Sequence, residues 1–153
     1  MSLTITQARD GILGHLRTAW LANGATVDVL VFYPDTVVGV KGLAGTKVAQ
    51  PVSGSPWARV TLQHVTSGQT SLADNTSKKI FTRNGVLTVQ VFTPYGTGLT
   101  KSDTLTKVVQ DAFEGKATLN GVWFRNVRAN EIGQDGEWHQ TNVLVEFTYD
   151  EVK

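Results

Sequence analysis

The chain alternates between two hydrophobic periodicities, and the switches between them mark out its elements. From Thr4 to Asn23, the residues Ile5, Ala8, Ile12, Leu16, Ala19 and Trp20 recur every three or four positions and line one face of a helix, which Gly24 would stop. Gly11 and Gly14 each weaken that helix by about 1 kcal/mol relative to alanine, so packing or a close backbone approach must compensate. Val27 to Tyr33 is a near-continuous apolar run closed by Pro34, which predicts a strand buried on both sides for part of its length. Trp57 to Thr66 alternates, with Ala58, Val60, Leu62 and His64 on one face and Arg59, Thr61 and Gln63 on the other. Ile80 to Phe92 does the same, placing Leu87, Val89 and Val91 opposite Val86, Thr88, Gln90 and Phe92, with Asn84-Gly85 marking a bulge or turn. These two strands read as antiparallel neighbours joined by the polar stretch from Ser67 to Lys79.

A second helical pattern runs from Thr100 to Glu114, with Leu105, Val108, Val109, Ala112 and Phe113 as its apolar stripe and Gly115 as its stop. Thr100 and Asp103 resemble a capping box, with aspartate in place of the usual glutamate or glutamine. Asn120-Gly121 then precedes a strand at Val122 to Ala129, and Gln134-Asp135-Gly136 forms the turn of a hairpin into Glu137 to Tyr149. In that last strand Val143, Val145, Phe147 and Tyr149 share one face, and Asn142, Leu144, Glu146 and Thr148 the other. Helix, three strands, helix, two strands is an order that predicts an α+β single domain over residues 1–153. Its antiparallel or mixed β-sheet has about five strands, with both helices packed on one face. The segment from Pro34 to Pro56, with Gly39, Gly42, Gly45 and Gly54, is the least regular; Val37, Val38 and Val40 make a short extended piece within it.

Composition narrows the function classes. A chain of 153 residues buries roughly 68–70% of its unfolded surface, enough for one core. Hydrophobic content of 41% against 18% charged residues is that of a folded globular protein, and a net charge of +1 gives no global attraction toward nucleic acid or an anionic membrane. Cysteine is absent, which removes disulfides, thiolate nucleophiles and cysteine-ligated zinc together. No stretch approaches the roughly 20 apolar residues of a membrane span, and the amino terminus lacks the pattern of a secretory leader. The protein is therefore expected to stay where it is made.

The strongest candidate for chemistry is the glycine-rich corner Pro94-Tyr95-Gly96-Thr97-Gly98 between the second long strand and its helix. A dinucleotide fingerprint would need a third glycine where Lys101 stands, and a phosphate loop would need glycines where Tyr95 and Thr100 stand. The corner is accordingly read as a turn. His15, His64 and His139 lack metal-ligand spacing, and Glu131, Asp135 and Glu137 lack the oxygen-rich loop of a calcium site. No nucleophile elbow is visible. Arg59, Lys78, Lys79, Arg83, Arg125 and Arg128 lie among Trp57, Phe81, Trp123 and Phe124, which suits nucleic acid or equally a solvated strand face.

Taken together, TQARDGIL on a helix bearing a tryptophan, WARV, RNGVLTVQVFTPYGTG, a helix ending DAFEG, GVWF and WHQTNVLVEFTYDE resemble phage tail terminator proteins of the lambda type. The resemblance covers nearly the whole chain. It implies no catalytic residue, metal or cofactor. It implies a virion protein of a long-tailed phage or prophage, assembled in the host cytoplasm, forming a hexameric ring on the head-proximal end of the tail tube. Its partners would be further copies of itself, the major tail tube protein and the head-tail connector protein, with DNA passing through the lumen without sequence-specific binding. The alternatives are a neck or head-completion connector, or a small ligand-binding or enzymatic α+β domain. Exposed loops on a rigid sheet are where partner contacts gather, so the candidate interface residues are Val40, Lys41, Leu43, Thr46, Lys47, Gln69, Lys78, Lys79, Tyr95 and Thr97.

Overall fold

The structure, a computed structural model, describes residues 2–22, 29–33, 56–71, 78–96 and 98–153; for Leu21, residues 29–33 and Asp135 it describes the backbone alone. Its elements are α1 (Ile5–Ala22), β1 (Val29–Tyr33), β2 (Trp57–Gln69), β3 (Ile80–Pro94), α2 (Thr100–Phe113), β4 (Trp123–Asp135) and β5 (Trp138–Val152). The strand order is β1-β2-β3-β5-β4. Four of these, β2, β3, β5 and β4, form an antiparallel sheet, and the short β1 runs parallel along the free edge of β2. The sheet anticipated as about five strands is thus four antiparallel strands with one parallel edge segment. Gly24, Val27 and the extended piece at Val37, Val38 and Val40 lie outside the described residues.

Strand alternation places the core. Ala58, Val60, Leu62, Leu87, Val89, Val91, Val143, Val145, Phe147 and Tyr149 project from one face and are buried together with the apolar stripes of α1 and α2. Both helices therefore cover that face, as their 3.6-residue periodicity requires. The opposite face is half-buried and polar, with Arg59 Nε donating to Gln90 Oε1 at 2.6 Å and Gln140 Nε2 donating to Asn142 Oδ1 at 2.8 Å. Trp57 lies on this outer face, stacked on Phe92 at 4.3 Å and edge-on to Trp138 at 6.1 Å.

Two local expectations are corrected and a third, left open, is narrowed. Near Asn84-Gly85 the extra residue belongs to the partner strand: His64 pairs with Gly85 and Thr66 with Asn84, so Val65 is the bulge. The capping box belongs to α1. There Gln7 N donates to Thr4 Oγ1 at 3.2 Å while Thr4 N donates to Gln7 Oε1 at 3.0 Å. α2 instead begins from Leu99, without a side-chain cap, and Thr104 Oγ1 donates to the Thr100 carbonyl. Finally, among the described residues no backbone presses on the glycines of α1, which leaves packing as the compensation. A Cβ on Gly11 would stand 3.5 Å from Asn120 Nδ2, an ordinary contact, and one on Gly14 would meet nothing.

Candidate assembly surfaces

The corner is a turn in the structure. Tyr95 N donates to the Glu137 carbonyl, which ties the end of β3 to the β4–β5 hairpin, and Gly96 and Gly98 take φ of 90° and 85°, the left-handed region that glycine enters freely. The chain then enters α2 at Thr100. Tyr95 and Leu99 are exposed beside this turn. The β4–β5 hairpin closes through Gly136 at φ 62°. The turn brings Glu137 and, at the irregularity between Glu131 and Gly133, the exposed Ile132 to the same end of the sheet.

The other end of the sheet is built by the start of β3 and the end of β5. Lys79 N donates to the Lys153 carbonyl and Lys153 N to the Lys79 carbonyl, at 2.8 and 2.9 Å. Gln69 Nε2 donates to the Ser71 carbonyl nearby. Arg83 is held between Glu151, at 2.7 Å from its Nε, and Ser67. Of the candidate interface residues, the structure therefore brings Gln69, Lys78 and Lys79 to one end of the sheet and sets Tyr95 at the other. Val40, Lys41, Leu43, Thr46, Lys47 and Thr97 lie outside the described residues.

Ile5, read as part of the apolar stripe of α1, is exposed at the helix start, and sequence reading passed over Val65, Leu99, Leu119 and Ile132, all large, apolar and exposed. The signal lay in broken periodicity. Val65 interrupts the alternation of β2, and Ile132 and Leu99 each stand alone among polar or glycine neighbours beside a turn. Trp123 is also exposed, at 67%, whereas Phe124 next to it is core.

The three histidines are separated, and His15 and His64 serve packing. His15 Nε2 meets the Ala112 carbonyl and its ring lies between Phe113 and Phe124. His139 pairs with Gln134 near the hairpin turn. His64 Nε2 lies 2.7 Å from the Tyr149 hydroxyl, and its ring stands edge-on to Phe147. Burial, then the charges of Arg9 and Arg83, lower the His64 pKa below its usual 6.5, which favours the neutral imidazole beside the Tyr149 hydroxyl. Burial raises the Tyr149 pKa above 10. Among the described residues no group of three or more histidine, aspartate or glutamate side chains converges to hold a metal ion. The basic residues are mostly tied across strands: Arg125 to Thr148, Arg128 to Glu146 at 3.6 Å, Arg59 over the Phe92 ring.

The His64 shift has a sign. Unfolded chains bind the proton at pH values where the folded one does not, so stability is full above about pH 6.5 and declines as pH falls below it. Denaturant midpoints measured between pH 7.5 and 5.5 are expected to fall for the native chain and to fall less for His64→Gln. Equal slopes for the two would contradict the assignment.

Comparison with known proteins follows from this geometry. No functionally curated protein matches the chain. Among solved structures, one known only by a sequence identifier superposes with a TM-score of 0.64 over 97% of this chain and 96% of its own, at 13% identity, which is a likeness of fold. A chain in the "virion of native gene transfer agent (GTA) particle" matches at a TM-score of 0.37 and 14% identity, covering 91% of this chain and 97% of its own, too slight a likeness to bear on the fold. The family model described as "phage tail terminator protein" matches residues 21–147. That span takes in β1 to β4, α2 and most of β5, leaving out most of α1 and the last residues of β5. The chain belongs to the phage tail terminator proteins.

Proposed function

We propose that this protein completes a phage tail by capping the head-proximal end of the tail tube as a homo-hexameric ring. The ring halts further addition of tube subunits and offers its other face to the head-tail connector. The observation that carries this reading is the family match over residues 21–147, which makes the chain a structural component of the phage tail. The residues perform no catalysis in this account. Their work is association, through unlike patches that meet head to tail and close after a fixed rotation. DNA passes through the lumen without contacts to its bases. The chain works as one domain over residues 1–153, assembled in the host cytoplasm into the virion. No helix among the described residues is long and apolar enough to cross a membrane.

The purified chain added to polymerising tail-tube protein is expected to shorten the tubes as its concentration rises, each tube carrying the protein at one end. Tubes of unchanged length, with the protein absent from their ends, would overturn the proposal. Unchanged tubes together with binding to the isolated connector would move the protein to the neck.

A further inference from the structure

We propose that neighbouring copies of this chain join through the two ends of the sheet: the acidic β4–β5 tip of one copy receives the lysine-bearing end of the next. This rests on the ring reading above and assigns its contact surfaces.

The two ends are far apart. β5 alone runs for 15 residues, so Glu137 before it and Lys153 after it stand roughly 50 Å from each other at a strand rise of about 3.3 Å per residue. Exposed apolar side chains gather at both ends. Tyr95, Leu99 and Ile132 lie at the tip, and Ile5, Val65, Ile80 and, paired with Thr148, Trp123 toward the opposite end, leaving Leu119 as the exposed large apolar residue elsewhere among those described. Monomeric surfaces scatter such residues; paired clusters mark contact sites.

Charge is segregated along the same axis. Asp103, Glu131 and Glu137 are exposed around the tip, whereas Lys78 and Lys153 are exposed and Lys79 half-buried at the far end. Counter-charges are present at each end but largely engaged. Lys101 at the tip is itself engaged, and Arg128 pairs with Glu146 midway along the sheet; at the far end Glu151 pairs with Arg83 and Asp150 accepts from Thr82. Between α2 and β4 the tip is hollowed by a cleft of about 540 Å³, lined by Asp103, Thr106, Gln110, Asn130 and Glu131. The buried Thr106 hydroxyl beside it lacks a hydrogen-bond partner among the described residues. An acidic, oxygen-lined cleft fits an ammonium group, and this same chain carries ammonium groups at its other end.

Two like ends cannot meet, because acid would face acid or lysine would face lysine. The complementary contact is therefore head to tail, the arrangement a closed ring requires.

The test uses three full-length variants: Glu131→Lys with Glu137→Lys, Lys78→Glu with Lys79→Glu, and all four changes together. Each is added to polymerising tail-tube protein, with capped ends counted by electron microscopy and self-association followed by sedimentation velocity. Either two-site variant alone is expected to lose capping by about tenfold or more. The four-site variant, with its ends exchanged, and an equal mixture of the two two-site variants are both expected to recover it. Recovery also certifies that the altered chains fold. It further separates self-contact from tube contact, since exchanging both ends cannot restore binding to an unaltered tube protein. Native-level capping by either two-site variant, or failure of both recoveries, would overturn the proposal and leave the function intact. A native chain that caps no tubes would overturn the function itself, and this inference with it.

Discussion

Replacing Gly85 with alanine is expected to destabilise the protein by about 3 kcal/mol, an effect at the upper end of those seen for overpacking. The reason is space. Gly85 lies in β3 between His64 of β2 and Phe147 of β5. The Phe147 ring lies across it, so an added Cβ would stand 2.3 Å from Phe147 Cζ and 2.3 Å from the Gln63 carbonyl oxygen. The ring can swing aside only by abandoning its packing against His64 and Tyr149, and the carbonyl is fixed by the strand. Urea unfolding followed by circular dichroism should show the midpoint falling at unchanged slope. Adding Phe147→Leu should recover none or only a small part of the loss, because the Gln63 carbonyl remains. A change below about 0.5 kcal/mol would show that the strands part more easily than this packing implies.

Trp20→Ala should destabilise by about 3–5 kcal/mol, the range for deleting a large aromatic from a core. Trp20 is fully buried and is the largest of the enclosed side chains among the described residues, anchoring the carboxy-terminal half of α1 in the core. Trp123→Ala is the control, since that residue is largely exposed and its loss should change stability by no more than about 0.5 kcal/mol. Comparing the two unfolding curves separates the anchoring of α1 from a general intolerance of tryptophan loss. Similar losses for both would contradict the placement of Trp20.

These residues also show which parts of the fold were legible in the sequence. Trp20, Ile12 and Leu16 declared themselves by helical spacing, and Leu87, Val89, Val143 and Val145 by alternation, because a buried face imposes its period on the chain. Strand lengths did not. β2 continues to Gln69 and β4 to Asp135, well past the alternating residues, because both faces of these extensions meet solvent and no longer demand apolar side chains. In β4 the pairing also shifts twice. Asn126 adopts φ 52° and Gly133 φ 98° at these irregularities, which disrupt any simple period.

The bulge at Val65 was misplaced because Asn84-Gly85 is a turn signal in isolation. Here the glycine instead makes room for Phe147, a long-range partner that local sequence cannot reveal. At the helix starts, Thr4-Ile5-Thr6-Gln7 carries the literal capping pattern and forms it. Thr100 already lies inside α2, since the corner delivers the chain with Leu99 in helical backbone geometry. The candidate interface residues were chosen by loop position alone. That reasoning named Gln69, Lys78, Lys79 and Tyr95 but not that they occupy opposite ends, because the distance between them is set by the length and pairing of β3 and β5.

The central claim is that this chain ends a tail tube as a ring. Electron microscopy of tubes assembled with the purified chain tests it directly, by averaging the tube ends. The account predicts one added layer of density at a single end, six-fold symmetric and built from copies of this fold. Bare ends, or density that lacks ring symmetry, would contradict it.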